Sequence, residues 1–360
     1  MSGRTWSSGR LERLLGVDHP IVQGPFGGGL SSTELVAAVS EAGGLGSYGA
    51  HILDPDRITG LVAELKAATR RPFAVNLWVP QPGESEARAV PADVERLRPY
   101  LDELGIEAPG LAGPYAQDFT EQARALLAAE PPVVSFVMGV PPEWVLAEAR
   151  RRGLVTIGTA TTVDEAAALA DAGLDAVVAS GSDAGGHRGS FLRPVGESLV
   201  GTMALVPQVA DAVSVPVIAA GGIADGRGVA AALVLGADGV QIGTGFLAVE
   251  ESGASALHKA ALLGPAARVT VLTRLFSGRP ARAIPNRFIE EMAAYEAEVP
   301  SYPVQNALML PIRRAAAERG LADYVNLWAG QSASLTRPVG AAEYLGDLVA
   351  DAGRILGGGR

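Results

Sequence analysis

The chain has no cysteine among its 360 residues. Disulfides, thiolate nucleophiles and cysteine-ligated zinc or iron–sulfur clusters are thereby excluded. It also lacks a basic excess: 29 lysines and arginines stand against 39 aspartates and glutamates, a net charge of −10. A nucleic-acid groove or an anionic membrane surface needs basic patches, so neither is expected as a partner. An anionic small substrate stays open, because local charge in a pocket can oppose the net sign. No uncharged apolar run reaches the roughly 18 residues of a membrane-spanning helix. The opening MSGRTWSSGRLERLLG lacks the apolar core of a secretory signal, and a cytoplasmic location is the default expectation. There is no G-x-x-x-x-G-K-[ST] loop, no H-E-x-x-H and no carboxylate–histidine cluster, so neither a Walker-type site nor a metal is expected.

What is present is an apolar fraction of 48% and a recurring phrase. After a short helix around Leu11–Leu15, an apolar strand at Pro20–Gln23 leads into Gly24-Pro25-Phe26 and three glycines. A helix follows, announced by Ser31-Ser32-Thr33-Glu34 as a capping box and stopped at Gly43-Gly44. Strands are then predicted at Leu45–Tyr48, Phe73–Leu77, Val133–Val137, Val155–Gly158, Ala176–Ala179, Val215–Ala219 and Gly239–Ile242. Amphipathic helices separate them, one opened by a second capping box at Thr162–Glu165. DAGLDAVVA at 171–179 and LGADGVQIG at 235–243 repeat the unit almost word for word. Strands apolar on both faces, alternating with helices, imply a parallel sheet covered on both sides. Eight such units without reversal predict an α/β chain folded as a (β/α)8 barrel; a doubly wound open sheet is the alternative.

Two stretches break the rhythm. Residues 79–113 form an insertion after the third strand, with a helix expected near 92–104. Residues 251–326, after the eighth strand, are expected to be a mostly helical lid or substrate subdomain. The barrel would then comprise residues 1–250, completed by 327–360 with its last helix at Ala341–Leu356. The GGGR tail is expected to be disordered.

Active sites of such barrels gather at the C-terminal ends of the strands. There lie Gln23 to Gly29, Asn76, the loop SGSDAGGHRGSF from Ser180 to Phe191, Gly221-Gly222, and Gly243-Thr244-Gly245 after Gln241. Glycine loops after the seventh and eighth strands suit a phosphate held by backbone amides beside a helix N-terminus; the bland alternative is tight turns. The Ser180–Phe191 loop carries little bulk for a core, yet holds His187. Imidazole orients a substrate or moves a proton near neutral pH, and His187 is read in that role. The competing reading of a lone histidine is structural. His51 is assigned to a helix-side loop. Arg188 is read either as an anion contact or as a surface salt bridge.

These residues sit in a wider set of motifs: AGGLGS at 42–47, PFAVNLWVP at 72–80, IGTATTVDEA at 157–166, GSDAGGHRG at 181–189, VPVIAAGGIADGRGVAAAL at 215–233, GVQIGT at 239–244, FSGRPAR at 276–282, SYPVQNAL at 301–308 and LWAGQ at 327–331. Over nearly its full length the chain resembles the nitronate monooxygenase family, formerly called 2-nitropropane dioxygenases, and in particular its bacterial class I members. The resemblance implies FMN on a TIM barrel without a metal. It implies oxidation of an alkyl nitronate or nitroalkane by O2 to a carbonyl compound and nitrite. A monomer or homodimer is expected. The residues implied at the cofactor are Gln23, Gly24, Asn76, Ser180, Gly185, Gly186, Gly221, Gly222, Gln241, Ile242, Gly243 and Thr244, with the phosphate near Gly222, Gly243 and Thr244. His187 falls on the family's catalytic histidine and Tyr302 on an active-site tyrosine. Phe26, Val137, His187 and Tyr302 would line the substrate pocket.

The chain departs from the family at three of these positions. Ser180 stands where glutamine is usual, Gly24-Pro25-Phe26 replaces the common APM, and Val137 occupies the place of a second active-site histidine in a VSFHFG-like motif. A more apolar pocket follows, with a substrate larger or more apolar than propionate 3-nitronate. The rival readings are an FMN-dependent NAD(P)H:quinone or enoyl-thioester reductase, a biosynthetic tailoring flavoprotein with little turnover alone, and a non-catalytic barrel binding a phosphorylated metabolite.

Overall fold

The computed structural model describes residues 9–357, so the last three residues of the tail lie outside it. At its centre are eight parallel strands. They are β1 (Ile21–Gln23), β2 (Gly46–Gly49), β3 (Phe73–Trp78), β4 (Val133–Val137), β5 (Val155–Ala160), β6 (Ala176–Ser180), β7 (Val217–Ala220) and β8 (Gly239–Ile242). From β2 to β8 each strand pairs with the next, and β8 pairs with β1. Between β1 and β2, Gln23 N–H donates to the Leu45 carbonyl and Leu45 N–H to the Ile21 carbonyl, both at 2.9 Å. The sheet therefore curls round on itself as the (β/α)8 reading predicts, and the open doubly wound alternative falls.

The period-2 alternation of a strand decides which residues can reach a site. Val22, Ala74, Val133, Ile157, Val178 and Ile218 share one apolar cluster, inside the barrel, floored by Leu11 and Leu15 of the first helix. Their neighbours Ile21, Val75, Val134, Val177, Val217 and Val240 point outward into the layer of helices. Continuing that alternation places Asn76 and Trp78, Ser135 and Val137, Ser180 and Gln241 on the inner face at the C-terminal ends. An Asn76 Nδ2 to Ser135 Oγ hydrogen bond of 3.0 Å confirms the placement for that pair.

The helices start where side chains satisfy their first amides. The expected box at Ser31 is displaced by one residue: Ser32 Oγ accepts from Leu35 N–H at 2.9 Å. Ser31 is buried instead, accepting from Phe26 N–H and donating to the Ser47 carbonyl, which ties the β1 loop to β2. The helix expected over 92–104 is two short ones, Pro91–Glu95 and Arg98–Glu103. Pro99 has no N–H for the Glu95 carbonyl and its ring crowds that carbonyl, so the run breaks after Glu95 and restarts with Pro99 in the first turn of the second helix. The last helix, Ala341–Leu356, packs between Gly226–Val234 and Thr33–Glu41 and completes the helical ring.

After β8 the chain forms helices Ala256–Leu263, Arg287–Met292 and Val304–Glu318 and a short antiparallel ribbon, Val271–Thr273 with Ala281–Ala283. The ribbon takes Gly186–His187 as a third strand. This region shares an apolar cluster with the insertion after β3, where Leu97, Tyr100 and Leu104 join Phe276, Phe288, Leu308 and Tyr324. The two interruptions of the repeat thus build one body of packed side chains. Among the described residues no helix is long and apolar enough to cross a membrane.

Candidate active site

Five rings from five separate segments meet above the barrel. Trp78, the last residue of β3, stacks on His51 with centroids 3.8 Å apart and planes 5° from parallel. His187 meets Trp78 edge-on at 4.8 Å, and Tyr302 lies tilted at 5.5 Å. Trp328 closes the far side, 5.1 Å from His187. The Arg279 guanidinium sits 4.5 Å from the Tyr302 ring centre and 5.4 Å from that of Trp78, and pairs with Glu84.

His187 is held there by backbone and by its neighbour. It pairs with Ala281 in the ribbon. Arg188 is neither an anion contact nor a surface salt bridge. It is 2% exposed, and donates through Nη1 to the Gly181 carbonyl at 2.6 Å and through Nη2 to the Ser180 carbonyl at 2.8 Å. That clamp joins the two ends of the glycine loop. Glu165 holds the loop's exit: its buried carboxylate accepts from the N–H groups of Phe191, Leu192 and Thr161 and from the Thr161 hydroxyl. Thr162 does cap its helix, but the Glu165 side chain serves the loop rather than completing the expected box.

The tautomer of His187 follows from its partner. Nε2 lies 2.8 Å from Ser277 Oγ. That hydroxyl donates to the Arg279 carbonyl at 3.1 Å and accepts from Arg279 N–H at 3.3 Å. With its one proton spent, Ser277 accepts from His187 Nε2–H, and Nδ1 is left as the basic nitrogen. Burial, then the charge of Arg279, holds the His187 pKa well below the usual histidine range. The same causes push His51 down to about 3. Burial raises the Tyr302 phenol to about 12, against the pull of Arg279. At neutral pH the site therefore contains two neutral imidazoles, a neutral phenol and a compensated guanidinium.

The glycine loops follow β1, β6, β7 and β8. Gly222 has φ of +71°, a conformation side chains rarely tolerate. A Cβ on Gly185 would fall 2.4 Å from Gly330 N, so loop and LWAGQ segment touch backbone to backbone. Gly24 N–H donates to the Ile242 carbonyl at 2.8 Å, bringing the β1 and β8 loops together. Thr244 Oγ1 accepts from Gly330 N–H at 2.9 Å, and the Phe26 ring lies beside Gly243. The helix behind Gly221-Gly222 has its N-terminus capped by its own Asp225 carboxylate. An anion held here would rest on the loops rather than on that helix dipole.

Not every anticipated residue faces the mouth with its side chain. Gln23 is fully buried, its Oε1 accepting from Ser47 N–H at 2.8 Å and its Nε2 donating to the Gly24 carbonyl. The Ile242 side chain is in the sheet–helix core, so only its backbone reaches the rim. Gly186 sits in the ribbon with open space where a Cβ would be. Conversely, sequence reasoning gave no role to Trp78, His51, Ser277, Arg279, Trp328 or Gly330. Most stood inside recognised motifs, PFAVNLWVP, FSGRPAR and LWAGQ, and that was the available signal. His51 had none.

The likeness of this eight-stranded α/β barrel to known proteins gives its class: an oxidoreductase acting on small molecules. A family description, nitronate monooxygenase, matches residues 8–351, and the chain belongs to that family. It is similar to the probable nitronate monooxygenase of Staphylococcus aureus strain Newman, 41% identical over 352 residues, covering 98% of this chain and 99% of the relative. The corresponding Staphylococcus saprophyticus protein is 42% identical over 355 residues, 97% and 99% of the two chains. Among solved structures, a nitroalkane oxidase from Streptomyces ansochromogenes superposes with a TM-score of 0.88 at 40% identity, over 96% of this chain and 99% of the other. FabK from Thermotoga maritima gives 0.76 at 31%, over 97% of each.

Proposed function

We propose that this protein uses FMN to oxidise an alkyl nitronate, or the parent nitroalkane, with O2, releasing a carbonyl compound and nitrite. The observation that carries the reading is His187: a neutral imidazole with an assigned basic nitrogen, at the mouth of a barrel of this family. The rim fits the cofactor. Gly24, Gly185, Gly221, Gly222, Gly243 and Thr244 bring loop backbone without bulky side chains to the strand ends, and Gly222, at φ +71°, takes a turn that glycine adopts without strain. Gly222, Gly243 and Thr244 would hold the phosphate; Asn76, Ser180, Gly185 and Gln241 would hold the ring system. FMN, when bound, supplies the electron acceptance and the reaction with O2.

The chain's own residues do the rest. His187 Nδ1 takes the α-proton where a neutral nitroalkane is the substrate, and Ser277 keeps that nitrogen free. Trp78 and Trp328 fix the imidazole plane from two sides. Tyr302, kept protonated, donates a hydrogen bond toward the substrate. Val137, at the end of β4, is an apolar wall wedged against Gly189, where a Cβ would come within 2.7 Å of Val137 Cγ2. It supports a substrate larger or more apolar than propionate 3-nitronate. Residues 251–326 are proposed as a lid over this pocket, and the protein as cytoplasmic.

The test is an absorption spectrum of the purified protein followed by nitrite release from a panel of nitronates. His187→Asn is expected to keep the flavin while kcat on a nitroalkane falls by about 100-fold or more. Anaerobic bleaching of the flavin by NAD(P)H and not by any nitronate overturns the reading. The best kcat/KM falling on propionate 3-nitronate overturns the apolar-substrate part alone.

A further inference from the structure

Among the described residues, four arginines have buried guanidinium nitrogens without a partner, and they differ in one respect. Arg188 spends both terminal nitrogens on carbonyls, and in Arg188, Arg274 and Arg313 the nitrogen that is both buried and unpartnered is Nε alone. Arg279 leaves two, Nε and Nη1, shut off from solvent. It is 6% exposed. Donors of a buried guanidinium are costly to leave unmade, so a pair of them calls for a partner. Their place is the aromatic box: the guanidinium lies over the faces of Tyr302 and Trp78. Those faces fix its plane by cation–π attraction. Glu84 takes Nη2 and balances the charge. The backbone of Arg279 brackets Ser277, the residue that holds His187. The cation therefore stands in the same small space as the imidazole, and its field is felt by His187, His51 and Tyr302 alike.

We propose that Arg279 is the anion anchor of the substrate pocket, its Nε and Nη1 donors receiving the oxygens of the nitronate head group. The inference rests on the nitronate reading and names the group that recognises the charge. A guanidinium suits this task because its planar donors match a planar two-oxygen anion, which an ammonium does not. Glu84 makes the arrangement selective for one negative charge. With the cation already half spent on a carboxylate, a monoanion is neutralised and a second anionic group meets Glu84 and the apolar wall of Val137.

Nitrate, a planar anion with the same oxygen spacing, is the probe, titrated calorimetrically into the protein as purified with its flavin. Nitrate is expected to bind the wild type. Arg279→Gln should raise its Kd at least tenfold, Arg279→Lys should fall between the two, and Glu84→Gln should lower it. In turnover, the Arg279 variants should raise KM for a nitronate more than they lower kcat. If Arg279→Gln does not fold, Arg279→Lys carries the test alone. Absence of nitrate binding by the wild type, or a Kd indifferent to Arg279→Lys, overturns the proposal. A wild type that binds nitrate through Arg279 yet oxidises no nitronate overturns the functional reading and leaves the anion site standing.

Discussion

At the scale of single residues, the proposed acid–base chemistry depends on which nitrogen of His187 carries the proton, and one hydroxyl decides it. Ser277 is buried, with its proton committed to the Arg279 carbonyl. Ser277→Ala removes the acceptor of Nε2–H and lets the imidazole turn or change tautomer. We expect kcat on a neutral nitroalkane to fall by about tenfold, with a shifted pH profile. Turnover of a preformed nitronate, which needs no proton removed, should fall less. Ser277→Thr, which keeps the hydroxyl, should restore most of the loss. Comparing the two substrates across the three proteins separates proton transfer from mere packing. Ser277 also shows why part of the site was illegible: nothing in FSGRPAR marks which residue will touch a histidine 90 positions away. The histidine was legible, because a polar ring among glycines has little else to do.

At the scale of elements, the barrel could be read because each unit carries its own instructions: an apolar strand, a capped helix, a glycine stop. The same locality failed elsewhere. Either Ser31 or Ser32 could cap its helix on chemistry alone; burial between Phe26 and Ser47 decides it. The ribbon strand Gly186–His187 is two residues long and has no periodicity to detect. Glu165 illustrates the gap between local and tertiary signal, since it reads as a capping residue and works as the anchor of the His187 loop. Four donors converge on its buried carboxylate. Glu165→Gln keeps the shape but turns one acceptor into a donor among donors. We expect a loss of about 2–4 kcal/mol in urea unfolding. Because Phe191 and Leu192 are released, kcat should fall as well while the flavin stays bound. A variant with wild-type stability would show that the loop is held by Arg188 alone.

At the scale of the whole molecule, the five-ring box joins residues 51, 78, 187, 302 and 328, and only the closed barrel with the region above it brings them together. Its assembly has a thermodynamic signature. His51 is packed so closely that a Cβ on Gly27 would lie 2.1 Å from its Cε1, and its Nδ1 is buried without a hydrogen-bond partner. Folded, it titrates near 3; unfolded, near 6.5. Between those values the unfolded chain binds the extra proton, so stability is full above about pH 6.5 and is lost as pH falls. The slope from this one histidine is about 1.4 kcal/mol per pH unit. His187 and His258 are shifted in the same direction by burial and add to it. Urea unfolding of wild type and His51→Gln from pH 7 to pH 4.5 isolates the His51 share, since every carboxylate contributes equally to both. The variant should lose some stability at pH 7 with the stacking on Trp78, yet its curve should be shallower by that slope, so the two proteins converge toward acid pH. Parallel curves would mean that His51 takes up its proton in the folded protein, and the ring box would then have to open to admit it.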